Sequence, residues 1–221
     1  MGELVMRKLL TYTAAVAALI FMTTAQAWDQ GDWLVRVGAS NIDPDGDGSI
    51  LGLDLTVDDA WGVTFNGEYM FREHWGLELL AALPYEHDIE VATLGKVGTV
   101  KHLPPTLSVN YHFLPEASFQ PYVGAGVNLT IFFDDEEDGV LKDIGGTLEV
   151  KDDTSVGFAG QIGADWTIND NWFVNFNLRY IQIDNDAKVF VPDPVVPGGG
   201  TVDANVNIDP YIYGLHVGYK F

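Results

Sequence analysis

Eight stretches of this chain alternate large apolar with polar side chains at every second residue, and the connections between them alternate short and long. The stretches are 32–41, 59–71, 74–85, 99–113, 118–133, 154–168, 171–184 and 204–221. A period of two is that of a β-strand, whose successive side chains point to opposite faces. In 171–184, Trp172, Val174, Phe176, Leu178 and Tyr180 share one face and Asn175, Asn177 and Arg179 the other. In 59–71, Trp61, Val63, Phe65, Tyr69 and Phe71 oppose Thr64, Asn66, Glu68 and Met70. In the last stretch, Tyr211, Tyr213, Leu215, Val217, Tyr219 and Phe221 oppose His216, Gly218 and Lys220. Aromatic residues collect near the strand ends, as they do on a lipid-facing band bordered by interfacial girdles. A soluble sandwich would instead turn its apolar faces inward and would have no use for girdles.

The connections 71–74, 114–117 and 169–170 are short, whereas 42–58, 86–98, 134–153 and 185–203 are long. An even number of strands with short turns at one end and long loops at the other is the outer-membrane pattern. The expected fold is therefore all-β: an eight-stranded antiparallel transmembrane β-barrel with short periplasmic turns and long extracellular loops.

The N-terminus agrees with export. Arg7 and Lys8 precede an apolar run from Leu9 to Met22, and Ala25-Gln26-Ala27 is a small-x-small cleavage pattern. The run is short of the ~20 residues that a helical span needs. We expect 1–27 to be a signal peptide and 28–221 to form one barrel domain. Taking away Arg7, Lys8 and Glu3 leaves 9 basic against 31 acidic residues in 28–221, a formal charge of −22. Such a chain repels phosphate backbones, which argues against a nucleic-acid partner. The run Asp134-Asp135-Glu136-Glu137-Asp138 reads as a solvated acidic rim. With no cysteine, no disulfide framework is available.

Several segments together resemble the OmpW family of small outer-membrane proteins, which includes the alkane-uptake barrels related to AlkL. They are Gly76-Leu-Glu-Leu-Leu-Ala-Ala-Leu-Pro84, Lys101-His-Leu-Pro-Pro-Thr-Leu107, Pro121-Tyr-Val-Gly-Ala-Gly-Val-Asn-Leu-Thr-Ile-Phe-Phe-Asp134, Ile208-Asp-Pro-Tyr211 and Gly218-Tyr-Lys-Phe221. The resemblance implies a barrel with a narrow, largely hydrophobic upper lumen, blocked toward the periplasm. It also implies passive uptake of small hydrophobic molecules that leave sideways into the membrane. By the same resemblance, Leu80 and Arg179 sit at the floor of the pocket. Family members can carry tryptophan where this chain has Arg179, so the floor is expected to be less apolar here and to suit molecules with one polar end. The ending Tyr219-Lys220-Phe221 resembles the signal read by the outer-membrane assembly machinery.

The residues themselves add a physical basis. Proline donates nothing to a strand ladder and is confined to edges, strand starts and bulges. Pro84, Pro104 and Pro105 fall near each other in the hairpin joined by 86–98, so they mark either a lateral opening or a pair of bulges. Arg36, Glu68, Glu78, His112, Asp165, Arg179 and Lys220 face inward toward the short-turn end. Eight strands leave interior space only for side chains or one small ligand. Opposite charges there should pair into a plug, or simply serve as structural packing.

Asp43, Asp45, Asp47 and Asp54 occupy positions 1, 3, 5 and 12 of a calcium loop, with Gly48 at position 6. The flanking helices of that motif are missing and the last ligand is aspartate, so an ordinary acidic turn is the alternative. No other cofactor is expected. Catalysis is not expected either. His74, His87, His102, His112 and His216 all lack a serine two residues on, and no nucleophile elbow or phosphate loop is present. The expected partners are outer-membrane lipid and lipopolysaccharide, small hydrophobic solutes and the assembly machinery. The rival function is a structural or host-contact barrel whose loops bind partners without transport.

Overall fold

In the computed structural model the described residues are 28–221, apart from 46–47, 51–52, 93 and 194–196. The expected signal peptide, 1–27, and Asp47 of the expected calcium loop lie outside them. Fifteen strands and one short helix form among the described residues. In chain order the first eight are β1 (Trp33–Asp43), β2 (Gly48–Ile50), β3 (Leu53–Val57), β4 (Ala60–Arg72), β5 (Trp75–Ala82), β6 (Tyr85–Val91), β7 (Gly95–Leu103) and β8 (Thr106–His112). There follow β9 (Phe119–Glu137), α1 (Gly139–Asp143), β10 (Thr147–Val150), β11 (Thr154–Thr167), β12 (Trp172–Ile181), β13 (Asp184–Val191), β14 (Gly200–Asn207) and β15 (Tyr211–Lys220).

The barrel wall runs β1-β4-β5-β8-β9-β11-β12-β15 and closes where β15 pairs antiparallel with both β1 and β12. Closure removes every free edge, which a strand in lipid requires because hydrocarbon satisfies no backbone group. The alternation places the apolar face outward. Leu215 is 61% exposed and Phe176 57%, while the inward Arg36, Glu68 and Glu78 are fully buried. A surface of this kind is inside out for water and suited to lipid. Aromatic pairs mark the band's lower border, with Trp33–Tyr69, Trp75–Tyr111 and Trp172–Tyr219 ring centroids each 5.0 Å apart. Tyr180 and Tyr211, 5.5 Å apart, stand at the opposite ends of their strands.

The long connections differ from the loops that their composition suggests. They form β2, β3, β6, β7, β10, β13 and β14, which extend the wall upward in the order β10-β13-β14-β2-β3-β6-β7-β9. Strand β9 is 19 residues long and serves both tiers, pairing with β8 below and with β7 above. Two stretches that read as single strands are broken in two. Pro104-Pro105 separates β7 from β8, and Ile208-Asp209-Pro210 separates β14 from β15. The upper tier has its own apolar interior, including Ile50, Leu55, Ile89, Val91, Leu148 and Val189. Between β9 and β10, side chains take the place of a ladder: Leu148 N–H donates to Glu137 (3.3 Å) and Val150 N–H to Asp135 (3.1 Å). Charged residues on the outer face of these short strands disguise them as loop.

At the periplasmic end Trp28, Leu34, Met70 and Phe173 form a small apolar cap, with Trp28 edge-on to Phe173 at 5.0 Å. The Trp28 N–H donates to the Pro115 carbonyl at 3.0 Å, which ties the first described residue under the barrel.

Candidate functional site

Directly above the cap lies a charged layer built from inward positions of six strands. The Arg36 guanidinium donates through Nε and Nη2 to the two Asp165 oxygens at 3.2 and 2.8 Å, and through Nη1 to Glu68 at 2.8 Å. Glu78 stands 3.5 Å from Arg36 and is held by Arg179 at 2.5 Å. His112 Nε2 lies 2.9 Å from the other Glu68 oxygen. Neutral amides complete the layer. Gln161 donates to Glu78 (3.1 Å) and accepts from Arg179, Asn110 donates to Glu68 (3.0 Å), and Asn175 donates to Asp165 (2.8 Å). Every ion here has several partners, which is what makes a buried ion pair tolerable. Room for the layer comes from glycine: a methyl group at Gly76 would collide with the Glu68 carboxylate, and one at Gly124 with the Asn110 amide.

The structure thus brings Arg36, Glu68, Glu78, His112, Asp165 and Arg179 into one network and sets Lys220 apart. Lys220 sits at the rim, 3.8 Å from Asp32 and above the Trp28 ring. Its inward register places it one layer too low to reach the others. Arg179 takes Glu78 as its partner, while Arg36 holds Asp165. Sequence reasoning missed Asn110, Gln161 and Tyr122. The signal was there, since each is polar at an inward position of an apolar strand.

Above the network is an enclosed space of ≈ 10 Å³, room for about one water. Leu80, Ala82, Pro104, Ile212 and the Tyr85 ring supply its apolar lining, and Ser40, Thr64, Asn177, Arg179 and His216 its polar lining. Leu80 and Arg179 meet here, where the charged layer gives way to the apolar upper tier. Higher still, His87 and His102 face each other with Nε2 atoms 3.0 Å apart. His87 Nδ1 is 2.6 Å from the Asp58 carbonyl and so donates to it, leaving Nε2 to accept from His102. Burial pushes the His87 imidazole below its usual range and holds His102, also beside His87, down to about 3. Both imidazoles therefore stay uncharged at neutral pH.

The wall beside this space is interrupted. The β5–β8 ladder ends at Leu80↔Thr106, and pairing resumes between β6 and β7 at Tyr85↔His102. Residues 81–84 on one side and 103–105 on the other do not pair across the break. Summed residue numbers of the paired partners shift by one over it, so a simple bulge would account for only one unpaired residue. Pro84, Pro104 and Pro105 all lie in the break, and proline has no N–H to orphan in lipid. The remaining groups find partners elsewhere: Leu83 N–H donates to Val63, and the Pro105 carbonyl accepts from Leu129 N–H, both at 2.9 Å. Pro104 is buried and lines the enclosed space, whereas Pro84 is exposed on the outside.

Asp43 ends β1, Asp45 N–H donates to the Ile208 carbonyl, and Asp54 lies on β3 opposite Ser49. Among the described residues no three His, Cys, Asp or Glu converge as a metal would need.

Comparison with known proteins matches the OmpW family model to residues 29–221. The chain belongs to the OmpW family. The Lys101–Leu107 segment that carries much of the resemblance forms one border of the wall break. Outer membrane protein W of Escherichia coli is 37% identical, with 97% of this chain and all of that protein covered. Outer membrane protein AlkL of Ectopseudomonas oleovorans is 26% identical over 88% of this chain and 84% of its own. Among solved structures, OprG from Pseudomonas aeruginosa superposes with a TM-score of 0.81 at 34% identity, covering 89% of this chain and 99% of that one. As an OmpW family barrel, the protein resides in the bacterial outer membrane.

Proposed function

We propose that the protein is a passive channel that takes small hydrophobic molecules from outside, past the lipopolysaccharide layer, and releases them sideways into the outer membrane. The observation that carries this reading is the wall break at 81–84 and 103–105, which flanks an apolar-topped space directly above a charged layer. A solute entering the upper tier meets its apolar interior and two uncharged imidazoles. Below Leu80 it meets Arg36, Glu68, Glu78 and Asp165, whose partners it would have to displace. Transfer of each methylene from water to hydrocarbon is worth ~0.8 kcal/mol, so a chain of several carbons gains most by leaving through the wall. The enclosed space is small, so passage requires Tyr85 and Pro104 to separate. No catalytic step enters this reading.

The test separates the two routes. Glu78→Ala strips Arg179 of its ion-pair partner and loosens the plug, so conductance of small ions through planar bilayers should rise. Uptake of labelled octane by whole cells should change little. Loss of octane uptake with unchanged conductance would show that solutes do not leave above the plug.

On the outside, the same reading puts the apolar band against lipid and the upper tier among lipopolysaccharide, with Tyr219-Lys220-Phe221 offered to the assembly machinery. The spacing of Asp43, Asp45, Asp47 and Asp54 also suggests calcium, which would have to draw Asp43, Asp45 and Asp54 together, since they do not converge by themselves. Calcium should raise the thermal midpoint of the purified barrel and Asp45→Ala should abolish the rise, and calorimetry without a calcium heat would refute the site.

A further inference from the structure

Arg179 donates through Nε to Gln161, and through Nη2 to Glu78 and Gln161. Those bonds occupy one edge of the guanidinium and leave its Nη1 amino group outside them, on a residue that lines the enclosed space. On residues lining that space, His216 Nδ1 is buried without a hydrogen-bond partner, and the buried Tyr85 hydroxyl has Ser40 as its polar neighbour but no hydrogen bond of good geometry. His216 Nε2 is fixed by Thr64 at 2.7 Å, and Thr64 in turn by Ser40 at 2.8 Å, so the ring cannot turn its Nδ1 elsewhere without breaking that chain. Leu80, Ala82, Pro104 and Ile212 supply the apolar lining of the space. An apolar pocket with a few converging polar groups is the form of a site that orients a ligand by one end.

Charge decides which end fits. The layer beneath holds two guanidinium groups, Arg36 and Arg179, against three carboxylates, Glu68, Glu78 and Asp165. Its formal charge is −1. A carboxylate head would add negative charge to a layer already acidic. An ammonium head would meet the Arg179 donors face to face. A neutral group that both accepts and donates meets neither penalty and can satisfy Arg179, Tyr85 and His216 together.

We propose that this space selects hydrophobic solutes ending in one neutral hydrogen-bonding group, such as an aliphatic alcohol, and that Arg179 sets the preference. The assignment rests on the lateral-uptake reading and names its substrate class. The head sits on the floor beside Arg179 while the alkyl tail lies toward the break at Pro104.

The test compares protein-dependent uptake of octane, 1-octanol, octanoate and octylamine by cells with and without the full chain. Octanol should exceed octane by about tenfold, the scale of one well-made neutral hydrogen bond. Octanoate and octylamine should not exceed octane. Arg179→Met should bring the octanol-to-octane ratio down to about one, with assembly checked by heat-modifiable gel mobility. Arg179→Lys keeps a cation for Glu78 but loses the second donor edge. It should lower the ratio in part, and it carries the test should the methionine variant fail to assemble. Equal uptake of all four solutes, or a ratio unmoved by both substitutions, overturns the head-group assignment and leaves lateral uptake standing. If no solute enters faster than in cells lacking the protein, the channel reading itself fails and this assignment falls with it.

Discussion

Closing the wall between residues 81–84 and 103–105 should reduce uptake of an apolar solute to the level of cells without the protein. Two kinds of variant reach that state by different means. Ala82→Trp puts an indole into the space that Ala82 now lines beside Leu80 and Pro104. The triple change Pro84→Val, Pro104→Val and Pro105→Val restores three N–H groups. In hydrocarbon an unpaired N–H costs several kcal/mol. The restored donors should therefore drive the ladder to continue from Leu80↔Thr106 to Tyr85↔His102, with a one-residue bulge for the register offset. Both variants leave the charged layer untouched, so ion conductance should stay at its original low value. Octane uptake that survives in both would mean that the solute does not cross the wall there.

The largest stability effect should come from Arg36→Leu. Arg36 is fully buried and bonded to Asp165 and Glu68, with Glu78 at 3.5 Å and the Phe173 and Tyr122 rings 5.4 and 5.7 Å from its guanidinium carbon. The substitution leaves three carboxylates in one layer with Arg179 as their remaining cationic partner. Removing one member of a buried ion pair costs ~3–5 kcal/mol. Urea unfolding in phospholipid vesicles should show a loss of that size. Glu68→Gln should lose less, because the amide still accepts from Arg36. A change below ~1 kcal/mol for Arg36→Leu would mean that water reaches the carboxylates and that the layer is no dry plug.

Much of this was legible in the chain. Period-two alternation with outward aromatics requires a barrel because a strand that is apolar on its outer face has no stable home in water. That logic gave the sidedness of β4, β12 and β15 residue by residue. The inward charges were legible for the same reason, since register fixes the face. So was an irregularity in the hairpin of Pro84, Pro104 and Pro105, because proline donates nothing to a ladder, although the prolines alone left both an opening and a pair of bulges open.

What the chain could not display is which distant residues meet. Arg179 lies 101 positions from Glu78 and Arg36 lies 129 from Asp165, and only closure of the wall decides that each takes that partner rather than the other's. Lys220 shares the inward face of β15 but sits one layer lower, a difference of height that alternation does not encode. The upper strands escaped notice because short runs such as Asp184–Val191 carry charges on their outer face and pair on one side with a distant segment, Thr147–Val150. Local pattern determines which face a side chain takes. Its neighbours on that face depend on strand stagger and barrel closure, which exist only once all eight strands are in place.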